Sequence, residues 1–390
     1  EIERSPLYHF YIFDFAIQLQ DWATRSGVTL PAGFTDRVRS MVRYSTDVLW
    51  PNGFTPLIGS SVRQRPAGDG PLYAALESTY PQFAYAVTGG RRGSPPTERA
   101  ALFATSGQVI LRSALAAGLP YVDNAQLVLN DGPASTPHSH LDALAIDYYS
   151  GGRVLLPDSG LGTYNPGTAF TFFHGTSAQN AVVVDGKDQG PGKVSTGLVQ
   201  AGPGWEYASG LAQLNAGVSA RRSVLMLGEN LVLVADSLTS AASHDYQQLW
   251  HLFPGAHLTM TGTAAQVSNG QDQPVLQIVQ NQLGSAPGVQ TYYGAMNPMQ
   301  GWYSEVYGLL QKNHVIGYSA RGTQVTYLTL LAAGPDAANP AQLTGSAGAA
   351  GIHLHLCAAD GSADITIAHQ AAAGETVTVS NGPGGCSHGG

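Results

Sequence analysis

The sequence predicts a multidomain α+β chain in which helices come first and a large antiparallel β-sandwich follows. Three observations predict it. The hydrophobic period changes from roughly 3.6 residues to 2 at the Arg91-Arg92-Gly93-Ser94-Pro95-Pro96 segment. Beyond that segment, short apolar runs are separated by Gly, Asn, Asp and Pro, with no helical pattern between them. Glycine and proline number 48 and 23 in 390 residues, a turn-rich composition. The predicted division is a helical segment over 1–98 and a sandwich over 99–390.

The first predicted helix spans 1–25, where Tyr8, Tyr11, Ile12, Phe15, Leu19 and Trp22 recur at helical spacing. The second spans 36–49, with Val38, Met41, Val42, Ser45 and Val48 on one face and Thr35 as a cap. Trp50-Pro51-Asn52-Gly53 breaks it. A third piece, Leu72–Val87, is interrupted by Pro81. The apolar stripes are too wide for single helices in water and predict a larger helical layer. Strands are predicted at Val109–Arg112, Ala125–Leu129, Leu144–Tyr149, Ala181–Asp185, Ser223–Leu227, Leu231–Asp236, Gln247–Phe253, Val275–Val279, Gln324–Leu331, Gly351–Cys357 and Thr376–Ser380. The tail Asn381–Gly390 reads as a loose end.

Composition excludes several classes. With 18 basic and 26 acidic residues the net charge is −8, which excludes a basic nucleic-acid binder. Charged residues are 11% of the chain, too few for a coiled coil or helical repeat. A hydrophobic fraction of 43% excludes a disordered chain. No apolar run is long enough to span a membrane as a helix. The chain starts at Glu1 without a basic-plus-apolar leader, as a mature or truncated product would. Cys357 and Cys386 read equally as a disulfide or as two thiols.

Twelve histidines are scattered, and most read as ordinary hydrogen-bonded residues. In Pro137-His138-Ser139-His140-Leu141-Asp142, an extended backbone puts His138 and His140 on one face. Two imidazoles there suit metal ligation or acid–base chemistry. His353 and His355 share the spacing and read as strand residues. Asp158 closes a strand before a turn and alone reads as a turn former. Tyr8 lies on the apolar stripe, where pattern alone favours core packing.

Taken in order, these segments resemble the heparinase II/III-like polysaccharide lyases. Glu3 to His9 match that family's Glu-x-Ser-Pro-x-Tyr-His motif. Pro51-Asn52-Gly53 and Pro56 to Ser61 loosely match its Pro-Asp-Gly…Gly-Asp-Ser loop. Gly107 to Ser113 resemble its Gly…Leu-Arg-Ser strand. Pro137 to Ala145 match Gly-His-Ser-His-x-Asp-Ala-Leu-Ser, and Gly151 to Gly160 match Gly-Gly-Arg-x-Leu-Leu-x-Asp-x-Gly. Thr176 to Gly186 match Thr-x-x-His-Asn-Thr-Val-x-Val-Asp-Gly, except at Gln179 and Ala181. Asp236 and the His244 to His251 stretch resemble the strands that follow. The resemblance covers nearly the whole chain.

The resemblance implies the C-terminal helices of an incomplete α/α toroid, followed by the sandwich. It implies β-elimination at a uronic acid of a heparin-, heparan- or alginate-type polysaccharide, by a secreted or periplasmic lyase. Tyr8 would be base and proton donor, and His138 the second base or a positive partner. His9, Tyr164, His174 and Gln179 are the implied substrate contacts. One zinc ion is implied on His140, Asp158 and the position of Gln179. A glutamine amide is a poor zinc ligand, so the site is expected to be weakened or lost unless His174 substitutes. The family's upstream helices supply an Asn or His that neutralises the substrate carboxylate, so an upstream segment or chain completing the toroid is an expected partner. A homodimer stays open. The competing expectation is a non-catalytic glycan-binding or assembly protein on the same scaffold.

Overall fold

The structure is a computed structural model describing residues 3–66, 70–132, 138–190, 192–270, 273–282, 287–339, 341–348, 351–358, 361–370 and 374–381. Pro137, Cys386 and the expected loose end from 382 onward lie outside the described residues. Four helices come first: α1 (Pro6–Ser26), α2 (Phe34–Val48), α3 (Pro71–Thr79) and α4 (Pro81–Val87). Pro6, Pro71 and Pro81 each occupy a first turn, where the missing N–H costs nothing. Gly27, at φ +66°, ends α1 in the left-handed conformation.

An antiparallel meander follows: β1 (Ala100–Phe103), β2 (Gln108–Arg112), β3 (Gln126–Asn130), β4 (Ile146–Ser150) and β5 (Arg153–Leu156). Both faces of this sheet are buried, and the two-residue period sorts its side chains. Ala101, Ile110, Val128 and Tyr149 meet Phe10, Phe13, Val42, Trp50 and Phe83 of the helical layer. Val109, Leu111, Leu127, Leu129 and Tyr148 face the opposite way, into a core shared with a ten-stranded sheet. That sheet is built on two long antiparallel strands, Leu231–His251 and His314–Ala333. Its far face, with Leu225, Leu233, Leu328 and Leu330, packs on a four-stranded sheet between Gln342 and Asn381. The order of layers is helices, meander, large sheet, small sheet. Cys357, in the small sheet, is disulfide-bonded. No helix among the described residues is long and apolar enough to cross a membrane.

The structure corrects three expectations. The stripe predicted to be the buried face of α1 is its outer face: Ile12, Phe15 and Trp22 are 56%, 69% and 52% exposed. Phe10, Phe13 and Ile17 form the inner face, so α1 is apolar on both sides. The separate strands predicted at 231–236 and 247–253 are one strand that ends at His251. The polar stretch between them carries a register shift from Thr239 to His244 and sits at the solvated end of the sheet, which masks its strand character. A short helix, α5 (Thr168–His174), lies in a segment where the sequence showed only strand and loop.

Inside the large sheet Arg222 is fully buried and forks onto Asp236, with Nε and Nη2 each 2.7 Å from a carboxylate oxygen. Replacing Arg222 with Leu leaves that carboxylate without its cation, so stability should fall by about 3–5 kcal/mol. Urea unfolding of Arg222→Leu measures the loss, and the Arg222→Leu/Asp236→Leu pair should recover part of it.

Candidate functional site on the seam between helices and sandwich

The residues leading into α1 are anchored on the sandwich side before the helix begins. Arg4 is buried at φ +56° and pairs with buried Asp142 at 3.1 Å. Ser5 Oγ lies 2.9 Å from Ser61 Oγ, and Leu7 N–H donates to Ser61 Oγ at 3.2 Å. The neighbouring Ser60 N–H donates to the carbonyl of His138 at 2.9 Å. One turn, Gly59-Ser60-Ser61, therefore holds both the start of α1 and the His138 backbone. Gly59 is required there: its φ is +59°, and a Cβ would stand 2.6 Å from the His138 carbonyl oxygen.

Tyr8 and His138, 130 positions apart in the sequence, stack with ring centroids 3.7 Å apart and planes inclined by 17°. The Tyr8 hydroxyl lies 2.9 Å from the Tyr164 hydroxyl. Burial, then the hydrogen bond to Tyr164, push the Tyr8 phenol above its ordinary value. Tyr8 is thus a neutral phenol at pH 7 and a proton donor. His138 Nδ1 lies 3.2 Å from Glu3 Oε2. An ionised carboxylate only accepts, so neutral His138 carries its proton on Nδ1 and its lone pair on Nε2. The side chain of His138 is 25% exposed, so solvent reaches the pair. Tyr164 is exposed, with His138 and His174 each 6.4 Å away by ring centroid and Tyr307 at 5.9 Å. The arrangement offers a proton donor and a proton acceptor side by side on an open aromatic surface.

Residues 95–343 match the family described as Heparinase II/III-like, C-terminal. The chain belongs to the heparinase II/III-like family. No curated protein matches it in sequence. Among solved structures it is similar to the heparinase III-BT4657 gene product, with a TM-score of 0.82 and 16% identity over 98% of this chain and 58% of that one. It is likewise similar to the heparan sulfate lyase HepC from Pedobacter heparinus, with a TM-score of 0.80, 16% identity, and coverage of 95% and 59%. The chain spans less than two thirds of the length of either protein. At this identity the likeness is one of fold.

The three positions that the family resemblance assigned to zinc lie deeper. His140 is fully buried and its ring nitrogens have no hydrogen-bond partner. Its Nδ1 is 4.0 Å from Asp158 Oδ2, also buried and without a hydrogen bond. The other Asp158 oxygen accepts the Gly160 N–H at 2.7 Å. Burial, then repulsion from Asp147, push the Asp158 carboxyl well above the usual carboxylate range. Gln179 is buried, and its Nε2 has no partner. His174 packs on His140 at 4.6 Å by ring centroid, but its Nδ1 is held by the Phe170 carbonyl at 3.0 Å. Among the described residues, no three His, Cys, Asp or Glu side chains meet as a metal site. His140 and Asp158 keep orphaned donor atoms, and the buried Nε2 of His174 has no partner either, yet the three do not converge on one point as a zinc site needs.

Two predicted substrate contacts are corrected by their burial. His9 points into the helical core, 2% exposed, with Nε2 2.9 Å from Ser45 Oγ, and burial lowers its pKa to about 3. Gln179 is 1% exposed and out of a polymer's reach. Tyr164 and His174 stand beside Tyr8 and His138. Sequence reasoning missed the roles of Glu3, Arg4 and Tyr307. Glu3 and Arg4 were within a motif already quoted, and an ionisable pair ahead of a helical Tyr-His was the available signal.

Gly59→Ala should displace His138 and destabilise the fold by about 1–2 kcal/mol for the left-handed residue alone. Thermal unfolding and a shift of the His138 ring resonances in NMR check it. After dialysis against a mild chelator, elemental analysis should find well below one zinc per chain, and Gln179→His should raise it.

Proposed function

We propose that this chain is the part of a polysaccharide lyase that carries the acid–base pair cleaving a uronic-acid polymer by β-elimination. The observation that carries the reading is the stacked Tyr8–His138 pair, with its neutral phenol and its Glu3-oriented imidazole. Family membership supports the reaction class.

In the reaction, a base removes the proton on C5, the C4–O4 bond breaks, and the electron pair forms a C4–C5 double bond. O4 leaves with a proton taken from an acid. His138 Nε2 is the base for one C5 configuration, and Tyr8 donates to O4. For the other epimer Tyr8 serves both steps, which requires it first to lose its proton. Negative charge grows on the C6 carboxylate in the transition state and needs a neutralising partner. We place that partner on an upstream helical segment packed on the outer stripe of α1, where Ile12, Phe15 and Trp22 await cover. Secretion into an extracellular or periplasmic space fits a polymer substrate.

Tyr8→Phe should cut turnover by at least about 10²–10⁴-fold while leaving the circular dichroism spectrum unchanged. His138→Ala should cost more for one C5 epimer than for the other. The readout is near-ultraviolet absorbance of the unsaturated product. Wild-type protein that binds uronic polymers yet yields no such product, with the upstream segment restored, would establish the non-catalytic scaffold instead.

A further inference from the structure

We propose that a second cavity, beside the hairpin that carries Tyr307, binds an acidic sugar, with the sugar's carboxylate at a rim of arginines and its hydroxyls at a buried carboxyl end. The site stands on the geometry of the cavity. Only the choice of uronates as probes rests on the lyase reading.

The hairpin pairs Trp302–Val306 with Leu309–Lys312, and its tip brings Tyr307 beside Tyr164. The two-residue period of its first strand turns Tyr303 and Glu305 the same way. Both line a cavity of about 400 Å³. Sites for small molecules measure about 300–1,000 Å³. None of Tyr8, His138, Tyr164 and Tyr307 lines this one.

The wall of the cavity is graded in polarity. Its exposed side carries Arg63, 45% exposed, and half-buried Arg153. Phe54, also in the wall, holds two guanidinium groups, with Arg63 3.6 Å and Arg65 4.5 Å from its ring centroid. Arg153 lies 5.6 Å from the ring centroid of Phe253. The rings hold these cations in place, and like charges gathered beside one cavity repel one another. Glu305, 3.9 Å from Arg63, answers part of that charge. A bound carboxylate offsets more of it, and its two oxygens match a guanidinium fork.

The inner side is different. Asp147 and Asp158 are buried there, and Asp158 Oδ2 has no hydrogen bond. A hydroxyl both donates and accepts, so it pairs with a carboxyl in either protonation state. The acids keep a ligand's own charge at the arginine side. Trp50, Phe253 and Tyr303 add aromatic surface to the wall. That surface suits the apolar C–H face of a pyranose ring. A neutral sugar would leave the arginines unanswered, and a simple anion would leave Asp158 Oδ2 and the rings uncovered. An acidic sugar meets all three.

The test is calorimetric titration of the full chain carrying Tyr8→Phe, which limits turnover. The probes are triglucuronate, glucuronic acid, carboxyl-reduced triglucuronate and sodium sulfate. Triglucuronate should show a binding event that Arg153→Ala or Arg63→Ala each weakens about tenfold or more, the worth of one hydrogen bond to a charged group. Carboxyl reduction should weaken it as much. Melting curves check the fold, and Arg153→Gln, which keeps part of the stem over Phe253, replaces Arg153→Ala if that variant does not fold. Affinity unchanged by the arginine variants, equal binding of the reduced sugar or of sulfate, or no binding at all overturns the inference. Tighter binding of the trisaccharide than of glucuronic acid names a polymer as the source, and equal binding names a free acidic sugar; either sustains the site. Unsaturated product from the wild type decides the lyase reading separately. Product without arginine-dependent binding upholds that reading and overturns this site, and arginine-dependent binding without product does the reverse.

Discussion

One buried charge ties together the sandwich segments behind the seam. Arg222 is surrounded by protein, yet all its directions are used. Two nitrogens grip Asp236, which also accepts Gln248 Nε2 at 2.8 Å, and Nη1 donates to the Leu144 and Asn180 carbonyls at 2.7 and 2.5 Å. Those carbonyls belong to the two segments that carry His140 and Gln179. Asn180 extends the hold: its Nδ2 donates to the carbonyls of Ile146 and Pro157, and its Oδ1 accepts the His251 N–H at 2.6 Å. Leu144 itself is bent to φ +63°. A buried ion pair is weak evidence for stability, because desolvation opposes it. Here, with Asn180, it ties together the segments around Leu144, Asn180 and Pro157.

A second constraint sits on the other side of the seam. The helical layer meets the meander through Trp50 stacked on Tyr149 at 5.7 Å and through Arg112, which reaches Asp47 at 3.5 Å. Gln126 Nε2 donates to the Asp47 and Leu49 carbonyls at 3.1 Å each. These contacts orient the end of α2, and so the turn at Gly59-Ser60-Ser61 that follows it. Tyr8 is placed by the helices and His138 by the sandwich, and neither layer alone makes the pair. Such seams between structural layers are where a cleft can be shaped without interrupting either core.

How much of this the sequence revealed depended on what kind of signal each part carries. Helix positions and most strand positions were legible because both faces of the meander and of the large sheet are apolar, as at Val109–Leu111 and Leu231–Val234. Which face of α1 turns inward was not, because both faces carry large apolar residues and periodicity cannot choose between them. The hairpin bearing Tyr307 was missed, since it is short and exposed at its tip. Tyr8 and His138 emerged from motifs in a fixed order, while on pattern alone Tyr8 looked like a core residue. His9 misled because it adjoins Tyr8 in the motif, yet one helical residue is a turn of about 100° away, on the opposite wall. Glu3 was inside the motif but had no role until His138 was seen beside it.

The division of labour proposed for the pair rests on these placements. A phenol is a poor base while it stays protonated, and burial with a tyrosine partner keeps Tyr8 so. With its Nδ1 turned to the Glu3 carboxylate, His138 presents Nε2 to the open side of the pair. In the proposed reaction, a proton on His138 would put positive charge 3.7 Å from the Tyr8 ring and would favour the phenolate left by donation to O4. On that proposal the two transfers would be coupled through the stack, and one internal proton return from His138 to Tyr8 would restore the starting state. On that proposal Glu3 sets the direction, through its contact with His138 Nδ1 at 3.2 Å.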